Sequence, residues 1–176
     1  MNSFIMNTVD FWGHNDADML EVGNGLSLEQ SRTHFAFWAA MKSPVIIGTN
    51  LNRLGKNFVN VLLNRYLLAF NQDPVVGAPA KPYKWGTNPN WTFNQSYPAE
   101  FWSGESSNGT LVLMLNTGKT TRNLTADFNE IPSLKKGQGR KVLDVWTGKD
   151  LGCVADKVSV SVAGSDTAVL LVQEKC

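Results

Sequence analysis

Between Gln72 and Pro82 the chain changes texture, and that change limits what it can fold into more than any other feature. Pro74, Pro79 and Pro82 fall there with Gly77 and no hydrophobic period, which marks a boundary between two kinds of structure. Upstream, apolar residues recur at helical spacing; downstream, short apolar runs are separated by turn residues. The chain therefore reads as an α/β segment over residues 1–74, a linker over 75–82 and an all-β segment over 83–176. With 176 residues, 43% of them apolar, six Trp and nine Phe, it has the material for a sizeable core.

Within the upstream part, Phe4, Ile5 and Val9 are apolar without clean alternation and read as a helix tail and a loop. A strand is expected near 14–20. Ser27 and Gln30 form a capping-box pattern, and Leu28, Phe35, Trp38, Ala39 and Lys42 follow helical spacing, which predicts a helix over about 28–42, stopped before Pro44. The run Pro44–Gly48 suits a parallel strand buried on both faces. Phe58, Val59, Leu62 and Leu63 mark a second helix, interrupted at Asn64 before Tyr66–Phe70. Strand, helix, strand, helix is the order of two units of a parallel (β/α)8 barrel, which needs six more strands to close.

Downstream, strands are expected at Trp91–Phe93, Ala99–Ser103, Thr110–Asn116, Thr121–Phe128, Lys141–Trp146, Lys157–Val162 and Thr167–Gln173. In the sixth, Val158, Val160 and Val162 alternate with Ser159 and Ser161, the pattern of a half-buried antiparallel strand. Ser107-Asn108-Gly109 and Ala163-Gly164-Ser165 carry hairpin signals. Strands at this spacing predict an antiparallel β-sandwich.

The stretch with the most chemistry is Trp12–Gly25, WGHNDADMLEVGNG. In an extended strand, alternate residues face the same way with Cα atoms ~6.5 to 7 Å apart. Asp16 and Asp18 would then project together, with Ala17 and Met19 on the other face. Two carboxyl groups ~5 to 5.5 Å apart are what a retaining glycosidase needs, but aspartates at a strand end are more often turn caps or structural hydrogen-bond acceptors. His14 beside them reads as a pocket-rim group or as a packed histidine donating to a carbonyl, and His34 as a packed helical residue. Trp85, Trp91, Tyr97 and Trp102 read as sugar-stacking rings or as core and interdomain packing. No Cys or His spacing matches a metal site, and no glycine-rich run opens a helix in the phosphate-cradling manner.

HNDADML with EVGNG, then THFAFWAAMKSPVIIGTNL, AFNQDPVVG and DVWTGKDLG, together resemble glycoside hydrolase family 27, above all the secreted fungal α-galactosidases. Against the family wording W-N-D-P-D-M-L, His14 replaces Trp and Ala17 replaces Pro, which reads as variation in packing. The resemblance implies the last two βα units of a (β/α)8 barrel followed by a Greek-key β-sandwich. It implies an enzyme that removes terminal α-D-galactose from oligosaccharides or polysaccharide side chains with retention of configuration and no cofactor. The family's nucleophile and acid/base are aspartates on earlier strands, matched by no segment here, so this chain is expected to hold no catalytic residue and to be inactive alone. Asp18 and Met19 match pocket residues of the motif, Asp18 accepting from sugar hydroxyls and Met19 touching the ring, while Asp16 braces the loop. Two alternatives stay open: α-N-acetylgalactosaminidase activity, and a non-catalytic glycan-binding module.

A net charge of +1 with mixed signs argues against a nucleic-acid partner. No apolar run approaches the ~20 residues of a membrane span. The first twelve residues lack a basic leader and a cleavage site, yet sequons at Asn90, Asn94, Asn108 and Asn123 fit a secreted protein. The expectation is an N-terminally truncated piece of a longer secreted chain. Cys153 and Cys176 would pair in an oxidising compartment; the alternative is two unrelated thiols.

Overall fold

A computed structural model describes residues 2–176. The elements run α1 (Asn2–Ile5), a 3-10 turn at Met6–Thr8, α2 (Leu28–Ala40), a 3-10 turn at Leu51–Arg53, α3 (Lys56–Leu62) and α4 (Arg65–Asn71). Eight strands follow: β1 (Lys81–Lys84), β2 (Phe101–Ser106), β3 (Gly109–Leu115), β4 (Arg122–Asp127), β5 (Arg140–Asp144), β6 (Asp150–Val154), β7 (Lys157–Val162) and β8 (Thr167–Lys175).

The capping box at the start of α2 is formed in both directions: Ser27 Oγ accepts from Gln30 N at 3.2 Å, and Gln30 Oε1 accepts from Ser27 N at 3.0 Å. The helix stops at Ala40, two residues short of the expected end. Lys42 adopts φ 58, and the amides of Lys42 and Ser43 turn back to Ala39 O and Trp38 O at 3.1 Å each. This left-handed stop usually takes glycine. Lys42 supplies a compensating interaction of its own: its buried ammonium caps Phe70 O and Val76 O and lies 4.4 Å from the Phe70 ring centroid. Asn64 divides α3 from α4 as the sequence predicts, its Oδ1 accepting from Tyr66 N and Leu67 N at the new helix start.

The two strands expected at 14–20 and 44–48 reduce to a single parallel bridge, Leu20 with Ile47. Leu20 N donates to Ile46 O at 2.7 Å and Gly48 N to Leu20 O at 2.9 Å. The segments lie side by side in the parallel sense of a barrel, but a lone parallel pair gains little, since such sheets depend on neighbours along both edges and layers on both faces.

The β region forms a six-stranded antiparallel sheet, β1-β2-β3-β8-β5-β6, and a two-stranded sheet, β4-β7. Strand alternation makes the larger sheet a middle layer. Leu111, Leu113, Val169 and Leu171 face α2 and α4 with Phe35, Leu67, Phe70 and Trp102. Val112, Met114, Leu170 and Val172 face the smaller sheet, against Leu124, Ala126, Phe128 and Val162. β7 keeps the valine-inward, serine-outward alternation read from the sequence.

Three expectations in this region are corrected, and one strand is added. Trp91–Phe93 is not a strand, because Trp91 takes φ 63, outside the extended range. Lys81 and Pro82, assigned to the linker, belong to β1, where proline is tolerated because this strand lies at the sheet edge. β6 at the other edge was not anticipated, its short run carrying Gly152 at φ 84 and little buried surface. The Ala163–Ser165 turn crosses between sheets instead of closing a hairpin, since β7 pairs with β4 and β8 with β3 and β5.

Cys153 and Cys176 are disulfide-bonded, tying edge strand β6 to the chain just past β8 across a separation of 23 residues. On loop-closure entropy this link contributes about 3 kcal/mol. Replacing both cysteines by serine is expected to lower unfolding stability by that amount, read as an earlier urea midpoint at unchanged slope; an unchanged midpoint would show that the link adds nothing.

Candidate functional site

The loop leading to Leu20 is built from its own side chains. Asp16 Oδ1 accepts from Asp18 N at 2.8 Å, folding the chain back on itself, and Asp18 takes φ 70. Asp18 Oδ1 accepts from Met19 N at 2.8 Å. The left-handed residue ends the strand alternation: Asp16 and Asp18 are both exposed, but Met19 is exposed too, at 47%, instead of turning to an opposite face. Ala17 is partly buried against the core, and Ser43 Oγ donates to Asn15 O at 2.6 Å. The loop is thus anchored from the helix side and presents Asp16, Asp18 and Met19 outward.

Two further side chains from α2 hold this loop, and the sequence reading had assigned them only packing. Trp38 Nε1 donates to Asp18 O at 3.2 Å. His34 Nε2 accepts from Glu21 N at 2.9 Å, which fixes a neutral imidazole with its proton on Nδ1. The two rings lie 3.9 Å apart between centroids. Burial lowers the His34 pKa below its ordinary value, against a smaller opposing pull from the Glu21 carboxylate. An i, i+4 aromatic pair on a helix was legible in the sequence; its hydrogen-bond targets were not. His14, in contrast, is exposed, so the packed reading of it does not hold.

The aromatic residues divide. Trp85 and Trp102 are core residues, with their indole N–H groups donating to Thr92 O and Ala99 O. Phe37 meets Trp102 edge-on at 5.3 Å, joining α2 to the larger sheet. Trp91 and Tyr97 are exposed on the loop before β2, with Trp91 4.7 Å from Trp85. All four sequon asparagines, Asn90, Asn94, Asn108 and Asn123, are exposed.

Facing surfaces near the loop are apolar and open. Trp12, Met19, Ile46, Ile47 and Leu51 are all more than two-fifths exposed, Trp12 at 95%. Apolar surface of this extent beside an unpaired parallel bridge is the signature of a face made to be covered. No helix among the described residues is long and apolar enough to cross a membrane.

Comparison with known proteins matches both halves. Residues 2–73 match a family model described as "Alpha galactosidase A", and residues 96–172 match "Alpha galactosidase C-terminal beta sandwich domain". A barrel-derived segment followed by that sandwich defines the class by its architecture, that of the family the two models describe. The chain belongs to the α-galactosidases of glycoside hydrolase family 27. It is 57% identical to a "Probable alpha-galactosidase B" of Aspergillus clavatus, over 99% of this chain and 42% of that protein, and 56% identical to one of Aspergillus oryzae, over 99% and 41%. Among solved structures, α-galactosidase I of Mortierella vinacea superposes with a TM-score of 0.82 at 26% identity, over 97% of this chain and 42% of that one. The Saccharomyces cerevisiae α-galactosidase determined with raffinose shares the fold, with a TM-score of 0.82 at 21% identity over 99% of this chain and 50% of that one. The chain therefore spans less than half the length of these curated relatives.

Proposed function

We propose that this chain is the C-terminal part of a secreted, retaining α-galactosidase that releases terminal α-D-galactose from galactosides, and that the division falls at residues 1–74, 75–80 and 81–176, with β1 opening the sandwich. One observation carries the reading. A loop in the family's pocket motif presents Asp18 and Met19 outward beside a parallel bridge whose apolar flanks lie open, which is how one wall of a barrel-mouth site looks without the strands that complete it. In this reading Asp18 accepts hydrogen bonds from sugar hydroxyls, Met19 packs on the apolar face of the ring, and Asp16 holds the turn that aims them. The nucleophile and acid/base belong to strands outside this chain. Exposed sequon asparagines agree with passage through the secretory pathway.

The test uses the full-length enzyme and the 176-residue chain with chromogenic α-galactoside and α-N-acetylgalactosaminide. The full-length enzyme is expected to cleave the galactoside preferentially, and the chain alone to cleave neither. Asp18→Asn in the full-length enzyme should lower kcat/KM by roughly 10- to 150-fold, the loss of a charge-assisted hydrogen bond contributing about 1.5 to 3 kcal/mol. Turnover by the isolated chain would put a catalytic pair within it; an Asp18→Asn enzyme of unaltered kcat/KM would remove Asp18 from the pocket.

A further inference from the structure

We propose that His34 and Trp38 are positioning residues for the sugar pocket, a role that rests on the assignment of Asp18 to that pocket. They stand four residues apart on α2 and so share one helix face. Each holds one end of a four-residue stretch of backbone. Trp38 Nε1 donates to the carbonyl of Asp18, and His34 Nε2 accepts from the amide of Glu21. Between these two points the bridge to Ile46 and Gly48 fixes Leu20 through both its amide and its carbonyl. The segment Asp18–Glu21 is thereby restrained along its whole length.

Asp18 is where that restraint matters. Its φ of 70 lies in the left-handed region, which aspartate enters more readily than most residues with a Cβ but still at a cost, and such a conformation is held best where its surroundings over-determine it. Asp16 Oδ1 holds the Asp18 amide and Trp38 holds its carbonyl, so both peptide groups flanking the strained residue are fixed. The contact of the two rings, at 3.9 Å, makes the anchors one unit: displacing the imidazole also displaces the indole. Met19 is confined from the opposite strand, where a Cβ on Gly48 would come within 2.9 Å of Met19 Cβ. Side chains that recognise a sugar must arrive pre-aimed, because any freedom left in the free enzyme has to be lost on binding. The α2 face supplies that aim without touching the substrate.

Three variants of the full-length enzyme test this. Trp38→Phe keeps an aromatic ring and removes the N–H; His34→Leu removes the acceptor; His34→Gln offers an acceptor again. Trp38→Phe and His34→Leu are each expected to raise both KM for a chromogenic α-galactoside and Ki for free galactose about tenfold, the scale of one lost hydrogen bond, with His34→Gln recovering most of the loss. A merely structural role lowers the folded fraction, and so kcat, at unchanged KM and Ki; that pattern overturns the proposal. Should both variants fail to fold, selective 15N-histidine labelling of the unmodified enzyme decides: His34 protonated on Nδ1 with Nε2 accepting at pH 7 supports the clamp, and the opposite tautomer overturns it. Asp18→Asn separates the two layers of the argument. Altered KM and Ki there with normal values in the α2 variants overturns the clamp alone, whereas normal values in Asp18→Asn overturn the pocket assignment and the clamp with it.

Discussion

Gly86→Ala is expected to destabilise the sandwich by about 4 kcal/mol or more, enough to unfold a domain of ordinary stability. Two effects combine there. Gly86 has φ +82, which costs a residue bearing a Cβ roughly 1 to 2 kcal/mol. A Cβ would also collide with Glu100 Oε2, and Glu100 cannot yield. Its side chain is fully buried, and its Oε1 accepts from Thr87 Oγ1 at 3.1 Å, Thr117 Oγ1 at 2.6 Å and Arg122 Nη1 at 2.9 Å. Burial pushes this carboxyl's pKa up, but those hydrogen bonds and the guanidinium charge outweigh it and hold the group below its ordinary value. Displacing a buried, paired carboxylate costs on the order of 3 to 5 kcal/mol. Gly137→Ala is the control, since Gly137 has φ +67 but nothing within 4 Å of an added Cβ. It should cost only the backbone share, roughly 1 to 2 kcal/mol. Equal losses for the two variants in urea unfolding would show that the Glu100 contact has no weight.

Asp73→Ala should cost about 3 to 5 kcal/mol and remove much of the protein's acid sensitivity. Asp73 is 4% exposed, and its Oδ1 accepts from Val75 N and Val76 N at 2.8 and 2.9 Å. Its Oδ2 accepts from Ser107 N at 2.6 Å and Ser107 Oγ at 2.8 Å. Alanine leaves all four donors without this acceptor, at a position whose own side chain is buried. Burial alone would raise the carboxyl's pKa; the amides of Val76, Ser107 and Val75 and the Ser107 hydroxyl reverse this and drive it well below the usual carboxylate range. A group whose folded pKa is depressed contributes fully above its unfolded value, here 3.8, and loses that contribution as pH falls below it. The unmodified protein should therefore lose stability steeply below about pH 4, and Asp73→Asn, which keeps one acceptor but no titration, should flatten that limb. A parallel fall in both proteins would assign the acid sensitivity elsewhere.

The legible parts of the molecule were those that local chemistry decides. Ser27 and Gln30 cap a helix through atoms three residues apart, Asn64 caps the next one, and β7 shows its buried face in alternate valines. What escaped depends on partners distant in sequence. β1 and β6 carry little hydrophobic pattern because edge strands bury little, and no propensity identifies an edge before the sheet is assembled. Lys42 occupies a position that favours glycine because Phe70 O and Val76 O, far along the chain, receive its ammonium. The candidate site was legible as composition, two aspartates and a methionine before a glycine-rich turn, but not as geometry. Reading Asp18 as extended missed its left-handed backbone, which depends on Asp16 from one side and on an indole twenty residues away from the other.

The larger sheet, buried on both faces, bears on how members of this family can exchange parts. Phe70 sits where a Cβ on Gly104 would come within 2.7 Å of its ring, and Asp73 grips the β2–β3 turn through Ser107. A chimera joined in the proline-rich stretch would separate surfaces that were shaped against each other. Recombination between homologues should succeed more often when the crossover lies upstream of α2, so that helices and sheet are inherited from one parent.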